Sequence, residues 1–85
     1  MWEIDLKRHT AKTGGFAVQF VALPAGSKCE SDCFCDPEGM IWRGKAMPGS
    51  AAILNEALRL RMLHEAGDAY GKAVRKAINP FPADP

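Results

Sequence analysis

The 85-residue chain has no apolar run near the ~20 residues that a membrane-spanning helix needs. Its first residues, MWEIDLKRH, alternate apolar and charged where a secretory leader would have a basic start and an apolar core. An excess of charge of one sign is missing too. Eleven Lys and Arg offset ten Asp and Glu to a formal +1, which removes any bulk electrostatic pull toward nucleic acid or toward an acidic partner. The chain has no Gly-rich phosphate loop and no nucleophile elbow. Asp32, Asp36 and Glu38 lack the register and closing Glu of a calcium loop. Internal repeats and low-complexity tracts are absent as well. Cysteine is sparse: Cys29, Cys33 and Cys35 lie in one loop, and in the cytoplasmic setting expected here they stay reduced or bind metal in preference to forming disulfides.

What is present is a core's worth of apolar side chains, 47% of the sequence, in a chain that buries only about 60–65% of its unfolded surface on folding. One α+β domain over 1–79, followed by an extended Pro-rich tail over 80–85, is expected. Trp2, Ile4 and Leu6 alternate with Glu3, Asp5, Lys7 and His9, which predicts a half-buried strand. Thr10 to Gly14 carries turn chemistry, and Gly14-Gly15 leads into a second strand ending at Leu23 before Pro24. Gly39 to Ala46 reads as a third strand, with Met40 and Trp42 on one face and Ile41, Arg43 and Lys45 on the other.

Gly49 to Ala66 is dominated by strong helix formers, with Ser50 as the expected N-cap and Gly67 as the expected left-handed end. Asp68 then caps a second helix over Ala69–Ile78. At 100° per residue the apolar positions Ile53, Leu54, Ala57, Leu58 and Leu60 point roughly 130° away from Tyr70, Val74, Ala77 and Ile78. A straight rod would bury only one of these stripes, so the helix is expected to be kinked or broken at Gly67. The architecture is then β-β-β-α-α, a three-stranded antiparallel meander with its broken helix on one face. Trp2, Ile4, Leu6, Phe16, Val18, Phe20, Met40, Trp42, Ile53, Leu54, Ala57, Leu58, Tyr70 and Val74 form the expected core.

That arrangement leaves the other sheet face open. Lys7, Gln19, Val21, Ile41, Arg43 and Lys45 are the candidate partner-binding residues on it, an apolar strip within a charged rim. Charge is uneven along the chain: Pro24–Glu38 is net −3 and Arg43–Lys76 is net +4. The alternative is a nucleic-acid-binding β3α module using Arg59, Arg61, Lys72, Arg75 and Lys76. Glu56 with Arg59 and Arg61 with Glu65, at helical spacing, explain part of this basic content as surface pairing. With no enzymatic constellation in view, binding to another protein or protein complex is the expected role, with no membrane involvement and no catalytic residue.

A minimal domain with an open sheet, an acidic loop and a basic helix resembles the small accessory proteins encoded by phages, anti-CRISPR inhibitors among them. The resemblance is one of overall make-up. It implies an inhibitor that covers a site on a host nuclease or surveillance complex, and it assigns no individual residue.

The expected cofactor complement is none, with a structural zinc clamp as the alternative. Cys29, Cys33 and Cys35 would supply three of four tetrahedral ligands and His64, at the end of the first helical run, the fourth. In the meander, His9 lies about 30 Å away at the other end of the strands and is excluded. Against the clamp, three reduced thiols need no metal, and a helical His near an apolar stripe is more often a packing residue.

Overall fold

The computed structural model describes residues 1–51 and 55–78. Five strands form one antiparallel sheet: β1 (Glu3–Asp5), β2 (Thr10–Thr13), β3 (Phe16–Ala22), β4 (Cys33–Cys35) and β5 (Ile41–Ala46), in the order β1-β2-β3-β5-β4. Among the described residues a single helix, α1 (Glu56–Ile78), covers one face of it. The expectation of a three-stranded meander with two helices is therefore corrected on both counts.

The first correction comes from Asp5. Its Oδ1 accepts the N–H groups of Lys7 (3.0 Å) and Arg8 (3.1 Å), a local side-chain turn that competes with strand extension. The chain reverses over 6–9, with His9 in a left-handed conformation (φ 56°), one that histidine visits more readily than most residues. The run from Trp2 to His9 is thus strand plus turn, and Thr10–Thr13 is a strand, not part of a turn. Only Gly14-Gly15 makes the next hairpin, with Gly14 at φ 54° and Thr13 paired to Phe16. The further strand, β4, lies inside the cysteine loop, where Phe34 and two cysteines pair with Trp42, Arg43 and Ile41.

The second correction concerns the helix. Asn55, not Ser50, caps it: Asn55 Oδ1 accepts from the N–H groups of Ala57 (2.9 Å) and Leu58 (3.3 Å). With the start at Glu56, the buried positions Leu63, Ala66, Gly67 and Tyr70, joined by half-buried Leu60 and Val74, form one stripe along one rod. Ala57 and Leu58 are exposed in the first turn, Leu58 by 45%, and Ile53 and Leu54 lie outside the described residues. Of the five residues that set the first expected stripe direction, only Leu60 faces the core among the described residues. Gly67 is not a break but a notch: a Cβ there would stand 3.4 Å from Phe34 Cδ1, and one at Gly71 would stand 3.7 Å from Phe34 Cε2. The absent side chains let the helix lie close on β4.

The core is Ala11, Phe16, Val18, Phe20, Leu63, Ala66 and Tyr70, with Trp2, Ile4, Leu6, Phe34 and Trp42 packed around it. Tyr70 stacks on Phe20 (centroids 4.6 Å apart) and meets Phe34 and Trp42 edge-on. Gly44 is buried beneath this cluster, where a Cβ would come within 3.0 Å of Phe20 Cε1. Met40, expected inside, is exposed beside the loop. Among the described residues no helix is long and apolar enough to cross a membrane.

Candidate functional site: the open sheet face

Antiparallel partners share a face, so register alone assembles the uncovered side of the sheet. Gln19 lies beside Lys45 and Val21 beside Arg43, while Leu23 N–H bonds to Ile41 O at 2.8 Å. Five of the six expected partner-binding residues, Gln19, Val21, Ile41, Arg43 and Lys45, therefore come together on β3 and β5. Lys7 does not join them in a strand; it is exposed in the turn after β1, its N–H held by Asp5. Val21 is 51% exposed, with Arg43 opposite it and Ile41 and Lys45 diagonally across on β5.

Toward β1 the same face carries Glu3 opposite Lys12 and Asp5 opposite Thr10. A broad depression of about 470 Å³ lies here, lined by Glu3, Asp5, Arg8, Lys12, Thr10 and Gln19. Gln19 Nε2 donates to the Arg8 carbonyl at 2.9 Å, tying the turn to the sheet. Arg8 and Asp5 stand 3.9 Å apart as an exposed pair, which contributes little to stability.

Toward β4 the face becomes a small polar cluster. Arg43 Nε lies 3.5 Å from Asp32 Oδ2, and the Cys33 thiol donates to Asp32 Oδ1 at 3.5 Å. The Arg43 guanidinium is held above its ordinary value by its contact with Cys33 and then by the Asp32 charge. Since an arginine is already charged at any working pH, the consequence is orientation, not titration.

The candidate zinc residues are partly brought together. Cys33, which is buried, and His64 line the same small cleft of about 80 Å³, with Asp32 and Asp68 also on its wall. Cys29 and Cys35 are exposed and do not line it. Among the described residues no group of three or more His, Cys, Asp or Glu side chains is placed to hold a metal ion.

His9 is the residue that sequence reasoning misplaced most. It does not sit on the open face or at the far end of the strands: its carbonyl accepts from Phe20 N–H at 2.8 Å, near the end of β3 that leads into the cysteine loop. Its Nδ1 is hydrogen-bonded to the Tyr70 hydroxyl at 2.6 Å, and its ring packs 4.8 Å from Trp42. Asp36, read as part of a solvated acidic loop, is 8% exposed. It accepts from Trp42 Nε1–H (2.8 Å) and from the N–H groups of Glu38 and Met40 (both 2.9 Å), a charge-assisted cradle that shapes the turn before β5. Burial, followed by the nearby Asp36 charge, raises the Tyr70 phenol above its ordinary value. A clue to this cluster was the D-P-E-G turn of 36–39, since Asp opening such a turn commonly bonds its own backbone.

On the helix, Arg59 makes two bonds to Glu56, at 2.6 and 2.9 Å, and Arg61 stands 3.4 Å from Glu65. The Arg59 bond lowers the Glu56 carboxyl below its usual range. Lys72, Arg75 and Lys76 are exposed along the last turns. The five basic residues are thus not equivalent, because two are already engaged. No family model, no curated protein and no solved structure matches this chain.

Proposed function

We propose that the protein is a non-enzymatic binding module that acts by stoichiometric association of its open sheet face with another protein. The observation that carries this reading is the register: it sets Gln19, Val21, Ile41, Arg43 and Lys45 side by side on the face that the helix does not cover. Exposed Val21 supplies an apolar anchor, and Arg43, fixed by Asp32, a preoriented donor. An inhibitor of the phage anti-CRISPR kind, covering a site on a nuclease or surveillance complex, is the concrete form of this proposal, and a reducing cytoplasm suits its three free thiols. Zinc held by Cys29, Cys33, Cys35 and His64 is not needed for such a role.

The test is affinity capture on the tagged chain from a lysate of the encoding organism, with and without nuclease. A protein partner should be enriched in near-equal amount in both arms and lost with Val21→Glu, a variant that keeps the wild-type melting temperature. Recovery of nucleic acid alone would overturn the reading in favour of the helix face. Binding there would weaken steeply with salt as phosphate contacts by Lys72, Arg75 and Lys76 release counterions.

A further inference from the structure

Among the described residues β4 is an edge of the sheet, paired only with β5. Gly44 N–H donates to Asp32 O and Asp36 N–H to Met40 O, both at 2.9 Å, so Asp32, Phe34 and Asp36 turn their backbone bonding groups toward β5. By the alternation of antiparallel ladders, Cys33 and Cys35 turn theirs outward. The Cys33 N–H is taken locally by Glu30 O at 3.1 Å. That leaves the Cys33 carbonyl and both backbone groups of Cys35 without a backbone partner among the described residues.

Beside this edge runs a groove of about 270 Å³ between β4 and α1. Phe34, Gly67 and Gly71 line it, and the two glycines contribute no side chain to fill it. Its charged lining is Lys72 and Arg75 against a single carboxylate, Asp68. Neither cation has an ion-pair partner among the described residues, unlike Arg59 and Arg61 nearer the start of the helix. Arg75 has a reason to be in the last turn, where it complements the helix dipole, whereas Lys72 has none of that kind.

We infer that β4 accepts an extended acidic peptide segment of a partner protein as an added strand. Its backbone pairs with Cys35, and its carboxylates, on the side facing α1, meet Lys72 and Arg75. Main-chain bonds supply the affinity and the two cations the preference. Exposed Glu30 and Glu38, on either side of β4 in the chain, disfavour carboxylates beyond the central positions. This surface is separate from the open-face proposal and stands or falls apart from it.

The test uses the full isotope-labelled chain and two blocked heptapeptides, one alternating glutamate with valine and the other lysine with valine. The glutamate peptide should shift the resonances of 33–35 and 67–75 and slow exchange of the Cys35 amide roughly tenfold or more at saturation. Cys35→Pro removes the outward donor without touching a bond to β5 and should weaken binding at least about tenfold while the fold is kept. Lys72→Glu with Arg75→Glu should reverse the preference to the lysine peptide. Val21→Glu should leave the binding unchanged, which separates failure here from failure of the open-face reading. If Cys35→Pro does not fold, Cys35 amide protection and the charge reversal decide the matter. No binding of the glutamate peptide at about 1 mM, equal binding of the lysine peptide, binding without Cys35 protection, or displacement by oligothymidylate would each overturn the inference.

Discussion

Replacing Gly67 by alanine decides between a helix that breaks and a helix that is notched. Gly67 lies buried in the middle of α1 and is not among the positive-φ glycines, so its backbone is one that alanine adopts freely. The new Cβ would meet Phe34 at 3.4 Å (Cδ1) and 3.7 Å (Cβ and Cγ), ordinary contact distances at which a methyl fits without displacing the ring. Helix propensity favours alanine over glycine by about 0.8–1 kcal/mol in a helix interior. The net effect should be stabilising by about 1 kcal/mol, which for a domain of this size raises the midpoint by about 4–8 °C. Gly67→Leu should do the opposite. Its longer side chain would crowd Phe34, already 3.4 Å from the Cβ position, and overpacking costs about 1–3 kcal/mol, enough to offset the propensity gain. Thermal unfolding followed by far-ultraviolet circular dichroism measures both. Were Gly67 a left-handed terminus, alanine would strain the turn and lower the midpoint by a similar amount. A fall with Gly67→Ala, or a Gly67→Leu protein as stable as Gly67→Ala, would refute the close packing of α1 on β4.

Further outcomes follow from the same structure. Leu63→Asp should unfold the domain, since a carboxylate at a position 3% exposed costs several kcal/mol, a large part of the whole stability. Leu58→Asp should change stability by no more than about 0.5 kcal/mol, because it places an acid on the exposed first turn of the helix; equal loss in the two would show the helix to be rotated. Asn55→Ala should cost about 1 kcal/mol of stability in chemical denaturation, and Ser50→Ala much less, because Asn55 makes the capping bonds. Tyr70 is the only tyrosine, so ultraviolet absorbance reads its ionisation directly. Its folded pKa is raised above the unfolded value of about 10, so the stability it contributes is fully present below about pH 10 and is lost as the pH rises through the folded value. A Tyr70→Phe protein should lose that part of the alkaline slope, and a tyrosinate transition in the native protein at the denatured position would contradict the burial.

Much of the sheet was legible because alternation survives context. Phe16, Val18 and Phe20 point inward and Gln19, Val21, Arg43 and Lys45 outward, as a period of two requires. The split at Asp5 was not legible from periodicity, because Leu6 keeps the alternation while the backbone turns, and the deciding event is a side-chain bond two and three residues ahead. β4 was hidden for a related reason. Three residues between a polar loop and an aspartate turn carry too little pattern, and Phe34 is held by its tertiary neighbours Phe20 and Tyr70. In the helix, glycine has two physical uses, a terminus or a close approach. Only knowledge of what packs opposite separates them, and that neighbour was the strand the pattern did not reveal.

The candidate site shows how one misplaced turn propagates. Removing His9 from the zinc set depended on placing it beside the first hairpin. With the turn at 6–9, its carbonyl pairs with Phe20 and it lies at the cysteine-loop end of the sheet, so the distance argument no longer holds. Packing, not distance, sets its chemistry. Nδ1 is bonded to Tyr70 and the ring lies against Trp42, whose own Nε1–H is held by Asp36. Only Nε2 remains to meet a metal, and turning the ring to present Nδ1 would leave the Tyr70 hydroxyl, on a side chain 1% exposed, without its partner. An orphaned buried hydroxyl costs about 1–3 kcal/mol. The aromatic cluster therefore holds His9 as a structural clasp between the first turn and the helix, and the open face, where only Gln19 and Arg43 have such internal commitments among the candidate residues on β3 and β5, is where binding chemistry remains available.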